Sequence, residues 1–63
     1  MKLRLENISS RGITPYLDGK RLYGIVAIDE SISKYKDHLV ELGDRDFEIE
    51  GEFEIRDNVI YGK

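Results

Sequence analysis

Phe47-Glu48-Ile49-Glu50-Gly51-Glu52-Phe53-Glu54-Ile55-Arg56 is the stretch on which the reading of this chain turns. Phe47, Ile49, Gly51, Phe53 and Ile55 fall on one side of a period-two pattern, and Glu48, Glu50, Glu52, Glu54 and Arg56 on the other. Strict alternation of this kind marks a strand with one face on a core and the other in water. The pattern predicts one unbroken strand over residues 47–56, the principal core strand of the protein.

Working outward, Asp57-Asn58 suits a tight turn that returns Val59-Ile60-Tyr61 antiparallel to Phe53–Ile55. On the other side, Gly43-Asp44-Arg45-Asp46 reads as a turn leading into the strand. At the start of the chain, Lys2, Arg4 and Glu6 alternate with Leu3 and Leu5, so Lys2–Ile8 is a second half-buried strand. Ser9-Ser10-Arg11-Gly12 reads as a loop, and Thr14-Pro15-Tyr16-Leu17 as a short strand in which Pro15, lacking an N–H, favours an edge. Asp18-Gly19 is the strongest turn signal, because a type I′ hairpin needs positive φ at both central residues. It would join Tyr16-Leu17 to Lys20–Tyr23. The β-branched run Leu22–Ile28 is expected to be a central strand, with Gly24 marking a bulge or bend.

Residues 31–42 support two readings. Ile32, Tyr35, Leu39 and Leu42 stand at helical offsets, with Ser31 or Ser33 as N-cap and Gly43 as C′ residue. Against a helix, Lys34 and Lys36 would stand early and Asp37 and Glu41 late, which opposes the helix macrodipole. The competing reading is a loop over 31–36 followed by a strand over 38–42. The fold class expected is therefore mainly β, a small antiparallel sheet rolled into a sandwich or barrel of five to six strands. The alternative is α+β with one helix at about 31–42. Residues 1–63 form one domain in either case.

Composition narrows function. A chain of 63 residues is at the small end of what folds alone. It has no cysteine, so neither disulfides nor thiolate metal sites can supplement its core, and self-association or a partner is favoured. The net charge of −3 is unevenly spread: residues 1–36 hold seven Lys/Arg against four Asp/Glu, and residues 37–63 hold three against nine. An acidic chain is a poor binder of phosphate backbones, so direct nucleic-acid binding is disfavoured. Met1-Lys2-Leu3-Arg4-Leu5 carries no apolar h-region, and the uncharged run Gly24–Ile28 is too short to span a bilayer. A cytoplasmic protein that does not enter membranes is the expectation.

The candidate sites are few. Glu48, Glu50, Glu52 and Glu54 would line one strand face as an acidic ridge roughly 20 Å long, with neighbours ~6.7 Å apart. Such a ridge could meet a basic partner. It is nevertheless about fourfold sparser than the ~1.7 Å per charge of duplex DNA. The plainer reading is a solvated face that discourages edge-to-edge aggregation and stands opposite Lys2 and Arg4 on a neighbouring strand. His38 has no evident Ser or acid arranged with it as a triad, and Asp44, Asp46 and Glu50 lack the spacing and glycine of an EF-hand. Gly12, Gly19 and Gly24 match no phosphate-binding spacing. No catalytic, metal or cofactor role is expected. Of the tyrosines, Tyr16, Tyr23, Tyr35 and Tyr61, several must complete a core that has only two phenylalanines, while Tyr16 and Tyr61 are candidates for a protein interface. The segments Thr14–Leu17 and Val59–Tyr61 are candidate open edges for strand addition.

Tyr16-Leu17-Asp18-Gly19-Lys20, Gly24-Ile25-Val26-Ala27-Ile28-Asp29 and Asp46-Phe47-Glu48-Ile49-Glu50-Gly51-Glu52 together form a further pattern. In these three stretches the chain resembles short proteins of undetermined role encoded by tailed bacteriophages and prophages, chiefly of Gram-positive bacteria. Residues 31–38 depart from that pattern. The resemblance implies a bacterial host cytoplasm and a protein-binding or self-assembling role in phage assembly or host interference, and it supplies no catalytic residues. The alternative function is an acidic inhibitor of a host nucleic-acid enzyme or defence nuclease, acting through the glutamate-lined face.

Overall fold

A computed structural model describes residues 1–9 and 12–63 of the chain. The loop expected at Ser9–Gly12 thus falls largely outside the described residues. Strands β1 (Lys2–Ser9), β2 (Gly12–Leu17), β3 (Lys20–Arg21) and β4 (Ala27–Ile28) precede a 3₁₀-helix, Glu30–His38. After it come β5 (Leu39–Gly43), β6 (Asp46–Glu50), β7 (Phe53–Arg56) and β8 (Val59–Gly62). The fold is mainly β, as expected, and the described residues form two small sheets with one short helix and no closed barrel. One sheet has the order β3-β2-β1-β6-β5 and the other β4-β8-β7.

In the larger sheet the alternation of β1 does what the sequence pattern requires. Leu3 stands between Leu17 of β2 and Ile49 of β6, and Leu5 between Pro15 and Phe47, so these rows face the core. Leu3, Leu5, Ile32, Ile49, Phe53 and Ile60 are buried, drawn from both sheets and the helix, with Leu3 and Ile60 fully enclosed. The opposite rows, Tyr16-Arg4-Glu48 and Lys2-Glu50, face away from the core. Lys2 and Arg4 therefore oppose the glutamates as anticipated.

The turns follow from local chemistry. Asp18 and Gly19 adopt φ of 49° and 83°, and Asp57 and Asn58 adopt 50° and 62°, the conformations that type I′ hairpins need. Pro15 is tolerated inside β2 for a reason of parity. Asp18 N–H donates to Lys2 O, so residues 14, 16 and 18 bond toward β1 and Pro15 turns its missing donor the other way. On that side its carbonyl accepts from Leu22 N–H, just past the end of β3.

Three expectations are corrected. The strand over 47–56 is two strands in different sheets, broken at Gly51-Glu52. Gly51 N–H closes the larger sheet's ladder on Met1 O, and Lys63 N–H opens the smaller one on Glu52 O. Ile49 and Phe53 stay in phase across the break and both are buried, but Ile55, expected on the same face, is 40% exposed. Leu22–Ile28 is not a central strand: only Ala27–Ile28 pair, parallel to β8 at a sheet edge, and Gly24 sits in a bend at φ 74°. Here every third residue, Leu22, Ile25 and Ile28, turns toward the core, while Tyr23 and Val26 are exposed. Residues 31–42 combine both readings as a 3₁₀-helix followed by β5. Its N-cap is Asp29 and not Ser31 or Ser33, with the Asp29 carboxylate accepting from Ser31 N–H at 3.0 Å.

Candidate functional site

The outer face of the larger sheet carries the charged residues. Each is placed there by strand parity. Arg4 stands in register between Tyr16 and Glu48, and Lys2 opposite Glu50. Arg4 lies 3.6 Å from the Glu6 carboxylate and Lys2 Nζ lies 3.8 Å from Glu48. A shallow depression of about 440 Å³, open to solvent, is lined by Lys2, Arg4, Glu6, Tyr16, Asp18 and Glu48. Its two cations pair with Glu48 and Glu6, and the third carboxylate, Asp18, accepts from Lys2 N–H, so the depression mixes both signs and presents no cluster of one sign.

The four glutamates do not form one ridge. Glu48 and Glu50 lie on the outer face of β6, Glu52 stands at the corner, and Glu54 lies on β7, 3.1 Å from Arg56. The two tyrosines singled out for an interface are also apart. Tyr16 is half-buried on the outer face of the larger sheet, whereas Tyr61 is half-buried on the smaller sheet under the Arg56 guanidinium, 4.5 Å from its ring centre. Tyr35 completes the core, its ring edge-to-face with Phe53 at 5.3 Å. Tyr23, 77% exposed, carries Arg21 over its ring. His38 is exposed at the end of the helix, and the Asp46 carboxylate accepts from Asn7 N–H at 2.9 Å.

The open edges differ from those anticipated. Tyr16-Leu17 of β2 is covered by β3, and β8 lies between β4 and β7. The strands that end the sheets are β3, β5, β4 and β7. Two of them, β3 and β4, are only two residues long, and β3 is Lys-Arg; β7 alternates Glu54 and Arg56 with its apolar residues. Short length and charge are the usual means of blunting an edge. β5 is the longest of the four. Its five residues, Leu39-Val40-Glu41-Leu42-Gly43, are exposed throughout, three are large and apolar, and one is charged.

Ladder parity states which groups of that edge are free to bond. The Gly51–Met1 bond makes Ile49 and Phe47 bond toward β1, so Glu48 and Glu50 bond toward β5. Val40, in register with Glu48, therefore turns its main-chain groups inward, and Leu39 and Glu41 turn theirs outward. The Leu39 N–H closes back on Lys36 O at the helix end. The outward groups are thus the Leu39 carbonyl and both groups of Glu41. The strand was legible as one reading of residues 38–42; its place at the end of a sheet was not, since that depends on strand order.

Among the described residues no helix is long and apolar enough to cross a membrane. No family model matches this sequence, and comparison with curated proteins and with solved structures finds no similar chain.

Proposed function

We propose that this chain is a non-enzymatic protein-binding or self-assembling module that works by accepting an added strand along β5. The observation that supports the reading is the five-residue edge Leu39–Gly43, the longest of the sheet ends, exposed along its length, apolar at Leu39, Val40 and Leu42 and charged only at Glu41. A bacterial cytoplasm and a phage or prophage setting accord with the resemblance of the hairpin at 16–20 and the stretch at 46–52. The second reading, an acidic inhibitor acting through a continuous glutamate row, draws no support from glutamates divided between two sheets.

Replacing Glu41 by proline tests the reading. Its N–H points away from β6, so Glu41→Pro removes the donor an added strand needs while sparing the β5–β6 ladder. Loss of every association, to itself and to partners captured from a bacterial lysate, is expected. Unchanged association in a folded Glu41→Pro variant would remove the edge from the function.

A further inference from the structure

We infer that the strand added to β5 is β5 of a second copy, paired antiparallel about a two-fold axis at Val40; this rests on the edge reading above and names its occupant. Two copies of one strand pair antiparallel only about an axis perpendicular to the sheet, which sets each residue opposite one of the same parity. Three centres are then possible. Centring on Leu39 requires the Leu39 N–H, which is held by Lys36 O, and would draw the 3₁₀-helix into the ladder. Centring on Glu41 sets two carboxylates directly opposite one another, which is destabilising. Centring on Val40 opposes no carboxylates, and although its two Leu39–Glu41 pairs would each also use the Leu39 N–H, each keeps the bond from Glu41 N–H to the Leu39 carbonyl.

In that register the Glu41 N–H of each copy donates to the Leu39 carbonyl of the other, giving two symmetric bonds. Val40 meets Val40 at a non-hydrogen-bonded position, where side chains approach closest. Leu39 comes opposite the aliphatic stem of Glu41. The result is one sheet of ten strands, five from each copy, in which β5 is no longer an edge. A core of six buried apolar residues among those described is small, and association is a route small domains commonly take; Leu39, in register with Ile49, would be covered on the core side, and Val40, in register with Glu48, on the outer face. The contact is short, so association belongs in the micromolar to millimolar range.

Sedimentation equilibrium of the intact chain from micromolar to millimolar concentration is expected to show the average mass rising toward twice that of the chain. Val40→Lys, at a position 55% exposed and so compatible with folding, places two ammonium groups face to face and is expected to hold the chain monomeric throughout that range. Because the chain has no cysteine, single-cysteine variants report register directly. The Cα separation of a non-hydrogen-bonded pair, about 4.5 Å, lies within the roughly 4.4–6.8 Å a disulfide spans. Val40→Cys is therefore expected to form a covalent dimer under mild oxidant far faster than Leu39→Cys or Glu41→Cys. A wild-type chain monomeric at every concentration, or equal cross-linking of the three variants, overturns the second-copy inference. If the wild type is monomeric but captures a partner that Glu41→Pro loses, the second copy is wrong and the edge reading stands. If Glu41→Pro alters neither, both fall.

Discussion

The ring of Tyr35 packs against Gly51, so close that a Cβ on Gly51 would stand 2.7 Å from its nearest ring carbon. Gly62 closes the other side, where a Cβ would stand 3.0 Å from the ring and 2.8 Å from Ser31 O. The ring is thus held in a slot between the two sheets, and its hydroxyl reaches the main-chain oxygens of Glu52 and Lys63 and accepts from Glu52 N–H at 3.4 Å. Gly51 does not adopt a positive φ, so what requires glycine there is the neighbour and not the backbone. Gly51→Ala is expected to destabilise the fold by about 1–3 kcal/mol through overpacking. Combined with Tyr35→Ala, the same substitution should lose most of that effect, because the ring it strikes is gone. Urea denaturation of the two single variants and the double variant measures the coupling; additive effects would refute the slot.

The hydroxyl has its own contribution. Tyr35→Phe keeps the edge-to-face contact with Phe53 and removes only the bonds to Glu52 and Lys63. A loss of about 1–2 kcal/mol is expected. Amide exchange should accelerate first at Glu52 and Lys63, whose pairing bridges the corner, and last at Leu3 and Ile49 in the larger sheet.

Asp29 caps the helix and links it to pH. Hydrogen bonds from the Ser31 hydroxyl and amide hold its carboxyl below the ordinary value of 3.8. Well above that value the group is ionised in both folded and unfolded chains, and its contribution to stability is complete. As pH falls through 3.8 the unfolded chain takes up the proton first, so the contribution declines until the folded carboxyl is protonated too. Asp29→Asn retains an N-cap but not the charge. The difference in melting temperature between wild type and Asp29→Asn should therefore shrink between pH 6 and pH 3 in parallel thermal scans; a constant difference would show that the charge is not linked to folding.

Arg45 occupies the turn between β5 and β6 at φ 66°, a left-handed conformation that crowds any side chain with a Cβ. Its carbonyl accepts from Ile8 N–H at 3.1 Å, a bond that glycine would also make. Arg45→Gly is expected to stabilise the protein by about 0.5–1 kcal/mol, with a higher urea midpoint at unchanged slope. A lower midpoint would mean that the arginine side chain contributes more than its backbone strain costs.

Features set by adjacent residues were legible in the sequence. Asp18-Gly19 and Asp57-Asn58 announce their turns, and the alternation in β1 and β6 correctly opposes Lys2 and Arg4 to Glu48 and Glu50. The corner at Gly51 was hidden because the chain changes sheets without changing phase. Its cause, the ring of Tyr35, comes from a distant part of the chain. Leu22–Ile28 misled through composition: its residues suit strands, but its buried positions recur every third residue and not every second. Ile32 and Tyr35 share that spacing of three, which in hindsight is the repeat of a 3₁₀-helix. Asp29 was likewise available as a cap two residues before Ser31. The candidate site depended on strand order, to which the pattern of β5 alone gives no access.

The division of the glutamates between two sheets separates their mutational effects. Glu48 faces Arg4 in register and lies 3.8 Å from Lys2 Nζ, so Glu48→Lys would gather three cations on adjacent strands. Like charges directly across a ladder destabilise it, and exposed ion pairs contribute little, so a loss of about 0.5–1.5 kcal/mol is expected. Glu52 stands at the corner, where its main chain bonds to Tyr35 and Lys63. Glu52→Lys should therefore stay within about 0.5 kcal/mol of wild type. Raising salt screens the first effect and leaves the second unchanged. Equal destabilisation by the two reversals would contradict the split and restore a single acidic face along residues 47–56.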